Sequence, residues 1–142
     1  MQISRKADYA LRAVTILGSL PPEKTMQAQE MATGGQIPIK FLEQILLTLK
    51  KAGLLRSKRG VGGGYRLAKA SRLITIGQVV EAVDGELVNL IDLDDYPTFP
   101  GSGGIEQSLA RIQGSINETL RGTTIEDIIN LDSGDSMVGY GI

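Results

Sequence analysis

Four glycines in a stretch of five residues limit this chain more than any other feature. Residues 54–68 read Leu-Leu-Arg-Ser-Lys-Arg-Gly-Val-Gly-Gly-Gly-Tyr-Arg-Leu-Ala, with Gly60, Gly62, Gly63 and Gly64 around Val61 and Gly53 just before. Such a run offers many positive-φ positions and little side-chain volume, which suits a tight reversal between two strands, Leu54–Lys58 and Tyr65–Ala68. A phosphate-cradling loop would need Gly-Lys-Ser/Thr opening a helix, whereas strand-like segments flank these glycines.

Three helical patterns precede the hairpin. Ser4 can cap the first, with Ala7, Ala10, Leu11, Val14 and Leu17 at helical spacing and Pro21-Pro22 as its stop. Thr25 can cap a short second helix from Met26 to about Thr33, and Gly34-Gly35 then marks a tight turn. Pro38 suits the first turn of a third helix ending at Ala52, with Phe41, Leu42, Ile45, Leu46 and Leu49 on its apolar side and Gly53 as its stop. Two helices, a glycine turn and a following hairpin give the order of a winged helix-turn-helix.

Beyond the hairpin, Thr75-Ile76-Gly77-Gln78 matches a capping box and opens a fourth helix to about Val83. Residues 84–104 read as loop, with Asp92, Asp94, Asp95, two prolines and Gly101-Ser102-Gly103-Gly104. Ile105, Leu109, Ile112, Ile116 and Leu120 then form one apolar stripe on a long helix. A domain this small leaves that helix little to cover, so the stripe is expected to pair with a second copy. Thr124 can open a last short helix bearing Ile125, Ile128 and Ile129, and a polar, glycine-rich tail follows from Asp132. The expected fold is mainly α with one small hairpin. Its parts are a winged helix-turn-helix at 1–85, an acidic loop at 86–104, dimerisation helices at 105–131 and a flexible tail at 132–142.

Charge divides along the same line. Of the 15 Lys and Arg, 13 lie in residues 1–72, beside only four of the 16 acids. A basic first half followed by an acidic second half points to a polyanion as partner of the first. The chain has no cysteine and no histidine, which removes thiolate metal sites, thiol nucleophiles and imidazole chemistry, so no enzyme is expected and no cofactor. No long apolar run and no secretory leader pattern is present, so a cytoplasmic protein without a membrane span is expected. In a major groove the leading exposed positions of the third helix are Lys40, Glu43 and Gln44; Gln reads adenine and Glu accepts from cytosine. Two other readings compete: an interaction adaptor whose winged helix no longer reads DNA, and a nucleotide-binding enzyme module built on the glycines.

Three stretches carry a resemblance. They are Gln2-Ile3-Ser4-Arg5-Lys6-Ala7-Asp8-Tyr9-Ala10-Leu11; Ile37-Pro38 followed by Phe41-Leu42-Glu43-Gln44-Ile45-Leu46; and Leu49-Lys50-Lys51-Ala52-Gly53-Leu54-Leu55 running on through Arg59-Gly60 to Gly62-Gly63-Gly64-Tyr65. The chain resembles the Rrf2 family of bacterial winged-helix transcription regulators, densely through about residue 85. The resemblance implies a homodimer on palindromic operator DNA, usually a repressor. It places Lys40, Glu43, Gln44 and the wing residue Arg59 on the DNA, and Arg5, Lys6 and Tyr9 on phosphates. Thr25, Pro38, Lys58, Gly60 and Tyr65 complete the candidate DNA-binding set.

Iron–sulfur members of that family hold a cluster with three cysteines in the loop before the dimer helix. Here that loop has none, and Asp92, Asp94 and Asp95 either hold a divalent ion or are simply solvated. Cysteine-free members include repressors of cysteine metabolism whose partner is O-acetylserine sulfhydrylase, the cysteine synthase. That enzyme recognises proteins ending in isoleucine, and this chain ends Gly139-Tyr140-Gly141-Ile142, which makes Tyr140 and Ile142 candidate contacts for it.

Overall fold

The computed structural model describes the backbone of residues 2–141 and the side chains of residues 2–134. Helix α1 is Arg5–Gly18, α2 is Ala28–Gly35 and α3 is Ile39–Lys51. Strands β1, Leu55–Lys58, and β2, Gly64–Leu67, follow, and then a 3-10 turn at Ser71–Leu73. The chain ends in α4, Ile76–Asp84, α5, Ser102–Gly122, and α6, Ile125–Gly141. No helix among the described residues is long and apolar enough to cross a membrane. The architecture is the expected winged helix-turn-helix with a long C-terminal helix.

Local chemistry explains most boundaries. Ser4 caps α1 by accepting from the Ala7 N–H at 2.9 Å, and its own hydroxyl donates to the Asp84 carboxylate at 2.8 Å, joining the start of α1 to the end of α4. Thr75 and Gln78 form a reciprocal capping box at α4, which Gly85 closes at φ 80°. Gly53, at φ 81°, follows α3. One core lies between α1, α2, α3 and α4. It is filled by Ala7, Ala10, Ala13 and Val14 of α1, Met31 of α2, Leu42, Leu46 and Leu49 of α3, and Ile74 and Val79 beside α4. The alanines let α1 run close to its neighbours.

Several sequence expectations are corrected. Helix α2 begins at Ala28, not Met26, and Gln27 precedes it without a side-chain cap. Thr25 has another partner, because its hydroxyl donates to the Gly62 and Gly63 carbonyls at 2.8 and 3.1 Å. The helix runs through Gly34 and Gly35, and Gln36 makes the left-handed turn at φ 53°. A Cβ on Gly35 would lie 3.0 Å from Ile16 and Ile37, so that glycine serves close packing instead. Pro38 stands at the N-cap of α3, one residue before its first turn. Helix α5 begins at Ser102 rather than Ile105. Ser102 is buried, accepts from the Phe99 N–H at 3.2 Å and follows Gly101 at φ 96°. Helix α6 continues to Gly141, where a short helix and a tail from Asp132 were expected.

The C-terminal helices are tied to the winged domain. Ile76 donates to the Thr123 carbonyl at 2.9 Å and Ile125 to the Ile74 carbonyl at 2.8 Å, around a Thr75–Thr124 bridge. Ile125 is fully buried in the shared core. Gly77 faces Arg121 so closely that a Cβ would lie 3.2 Å from its backbone nitrogen. The start of α6 therefore belongs to the same folded unit as α1–α4.

Candidate nucleic-acid interface

Helix α3 has two chemically distinct sides. Leu42, Ile45, Leu46 and Leu49 are buried, while Lys40, Glu43, Gln44, Leu47 and Lys51 are exposed opposite them. The start of the helix has no side-chain cap, so its first N–H groups and the positive end of its dipole are open to an anion. Phe41, expected on the apolar side of this helix, is 55% exposed and sits at the edge of the buried stripe.

The N-terminal turn of α1 adjoins that edge. A cleft of about 190 Å³ is lined by Arg5, Lys6, Tyr9, Phe41, Gln44 and Thr48. Tyr9 and Phe41 meet as a tilted pair, 6.3 Å between ring centroids, and the Arg12 guanidinium lies 5.2 Å from the Tyr9 ring centre. Arg12 also pairs with Asp8 at 2.8 Å and donates to the Gly35 and Gln36 carbonyls at 3.1 and 3.2 Å. One side chain thus satisfies the carbonyls at the end of α2, fixes the turn into α3 and orients Tyr9. In the sequence Arg12 shows only as one more positive charge, and its spacing four residues after Asp8 is the signal for the pair.

The hairpin is anchored at its base and bare at its tip. Its strands pair Leu55 with Leu67, Arg56 with Arg66, Ser57 with Tyr65 and Lys58 with Gly64. Met26 and Tyr65 exchange two backbone hydrogen bonds, 2.9 and 2.8 Å, so a single bridge ties the segment before α2 to the hairpin. Gly60 and Gly62 have φ of 88° and 73°, and Val61 between them is fully exposed. Arg56, Lys58 and Arg59 are exposed, while Arg66 is held by Glu23 at 3.0 Å. Of the 13 bases in residues 1–72, only Arg12 and Arg66 sit in an ion pair among the described residues. The α1 start, the exposed side of α3 and the wing therefore carry cations that form no ion pair among the described residues.

The loop before α5 is held by amide side chains. Asn117 accepts from the Val88 N–H and donates to its carbonyl, both at 3.0 Å, and Gln113 accepts from the Leu90 N–H at 2.7 Å. Asp92 accepts from the Asp94 N–H at 3.1 Å in a local turn, and among the described residues no three acids gather into a group able to hold a metal ion. The α5 stripe divides in two. Ile116 and Leu120 line a groove of about 550 Å³ with Ile3, Val80, Leu87 and Val88, whereas Ile105 and Ile112 are exposed and Leu109 is half-buried. The Tyr140 side chain and Ile142 lie outside the described residues.

Comparison with known proteins decides the family. Residues 3–131 match the family model Rrf2, described as an iron-dependent transcriptional regulator. The chain belongs to the Rrf2 family. The HTH-type transcriptional regulator rrf2-like of Rhodobacter capsulatus is 42% identical over 114 residues, 78% of this chain and 76% of that protein. The regulator CymR of Bacillus subtilis is 29% identical over 135 residues, 95% of this chain and 94% of that one. The solved structure of CymR, the global cysteine regulator of B. subtilis, matches with a TM-score of 0.80 over 92% of this chain and 98% of that one. A structure of IscR from T. potens matches at 0.74 with 26% identity, over 92% of this chain and 87% of that one.

Membership makes this Rrf2 chain a DNA-binding transcriptional regulator, and its relatives are regulators, not enzymes. The iron dependence in the family description does not fit the residues present. The chain has neither cysteine nor histidine, and the carboxylates of its loop do not converge.

Proposed function

We propose that the protein is a homodimeric, sequence-specific repressor that binds palindromic operator DNA with α3 in the major groove. The observation that carries this reading is the set of cations on α1, α3 and the wing that form no ion pair among the described residues, around the exposed Lys40, Glu43 and Gln44. In this reading Gln44 meets adenine, Glu43 accepts from cytosine N4, and Lys40 and the open α3 start meet phosphate beside Pro38. Arg5, Lys6 and Tyr9 hold the adjoining backbone. Lys58, Arg59 and the small Gly60 bring the wing to the next groove, with Thr25 and Tyr65 fixing its base. An acid amid so many bases weakens general attraction to phosphate, so its place at Glu43 favours discrimination over affinity.

The exposed Ile105 and Ile112 of the α5 stripe, with half-buried Leu109 between them, supply an apolar seam for a two-fold partner, and Ile116 and Leu120 extend it toward the groove. Such a dimer sets the two α3 helices one DNA turn apart, about 34–36 Å. A gel shift with the chain's own upstream DNA at two salt concentrations tests the reading. Retarded, sequence-selective complexes support it, and no preference over scrambled duplex refutes it.

The similarity to CymR, described as a cysteine regulator, and the terminal Ile142 support control of cysteine metabolism through O-acetylserine sulfhydrylase. A peptide of the last ten residues, titrated into the enzyme from the same organism, tests this. Binding that requires Ile142 and is displaced by O-acetylserine supports the partner. Absence of binding at millimolar peptide removes it.

A further inference from the structure

We infer that Phe41 reads a thymine methyl group, so that operator choice by this regulator includes an apolar contact beside the polar ones. The inference rests on the proposed placement of α3 in the major groove.

Single exposed apolar residues are ordinary on protein surfaces. Phe41 differs in being held in place. It is 55% exposed in the first turn of α3, its ring is braced by Tyr9 at 6.3 Å, and Tyr9 is itself fixed under the Arg12 guanidinium at 5.2 Å. Arg12 in turn is anchored to Asp8 and to the α2–α3 turn. The exposed ring is therefore positioned before any ligand arrives, which limits the ordering cost of contact.

Its neighbours define what it meets. Phe41 and Gln44 are three residues apart, hence adjacent on the helix surface, and both line the cleft that Arg5 and Lys6 flank. A cation pair at the rim suits phosphate, and Gln44 suits adenine. An aromatic ring within the same cleft has no hydrogen bond to offer a base edge. In the major groove the one apolar group on any base edge is the C5-methyl of thymine, which apolar side chains contact. The geometry thus places a thymine within one base step of the base that Gln44 meets. Leu47, also exposed on α3, lies a turn further from the helix start and outside this cleft.

The test uses the full chain and a duplex selected by it from a random DNA pool. Each thymine of the selected site is replaced in turn by deoxyuridine, which lacks only the methyl group, and affinity is read by fluorescence anisotropy. One position per half-site should weaken binding about four-fold, the worth of one methyl taken from water. The same replacement should have no effect on Phe41→Ala, whose fold is checked by circular dichroism. The wild-type scan requires no variant, so a misfolded Phe41→Ala does not obscure the result. If no deoxyuridine matters, or if its effect persists in Phe41→Ala, the inference is wrong. If Phe41→Ala weakens every duplex equally, the ring packs on the sugar–phosphate backbone and the inference is likewise overturned. Failure of the major-groove reading itself would show separately, as Gln44→Ala binding with unchanged sequence preference.

Discussion

Gly64→Ala is expected to unlock the wing, and the structure sets the size of the effect. Gly64 has φ 136°, a conformation an L side chain rarely adopts, which costs about 1–3 kcal/mol for a non-glycine residue. An added Cβ would also lie 2.5 Å from the Met26 carbonyl oxygen and 2.7 Å from its carbon, so the Met26 segment must move. That carbonyl accepts from Tyr65 at 2.8 Å, and the reciprocal bond is 2.9 Å, so both weaken together. Two backbone bonds are worth about 1 kcal/mol each. The sum is about 3–5 kcal/mol, which for a chain of this length lowers Tm by roughly 10–15 °C. Gly62→Ala is the matched comparison. Its φ is 73° but nothing lies within 4 Å of the new Cβ, so only strain of about 1–2 kcal/mol applies. Gly34→Ala, inside α2 with open space around it, should instead stabilise by about 0.5–1 kcal/mol. Thermal unfolding followed by circular dichroism ranks the three. Equal Tm values for Gly64→Ala and Gly62→Ala would refute the account of how the wing is anchored.

Arg59→Ala should weaken operator binding by about 1–3 kcal/mol without moving Tm, since the residue is exposed and forms no ion pair among the described residues; a titration at constant salt checks it. Glu43→Ala should relax sequence preference while affinity for scrambled duplex holds or rises, measured by competition with both DNAs. Ile112→Glu places an unpaired carboxylate in the proposed seam, where Ile112 is 49% exposed in the single chain, and should give monomers or aggregates by light scattering with operator binding lost.

What the sequence made legible was chemistry between near neighbours. The Ser4 cap, the Thr75–Gln78 box, the Gly53 stop and the hairpin itself depend on residues a few positions apart. Thr25 misled because it has the form of a helix cap, while its partners, Gly62 and Gly63, lie 37 and 38 residues on. Phe41 misled because periodicity places a residue on a stripe but not at its edge, and only the position of α1 decides which edge is open. Gln36 carries the left-handed turn because Gly35 is needed for contact with Ile16 and Ile37, a tertiary constraint invisible in Gly34-Gly35. The backbone of α6 continues through Gly134 and Gly139, residues that disfavour helix by about 1 kcal/mol each, so propensity gave no reason to extend it. For the candidate interface, the identities of the cations and of Glu43 and Gln44 were legible. The cleft that joins α1 to α3, and the part Arg12 plays in shaping it, were not.

The central claim is that the exposed side of α3 reads sequence. The direct measurement is the affinity ratio between a selected operator and a scrambled duplex of equal length, taken at low and at physiological salt for the wild-type chain. The account predicts that both affinities fall with salt as phosphate contacts are screened, while the operator remains preferred by about a thousandfold or more at the higher salt. Affinities that converge as salt rises, leaving no preference, would show that the basic surface attracts DNA without reading it.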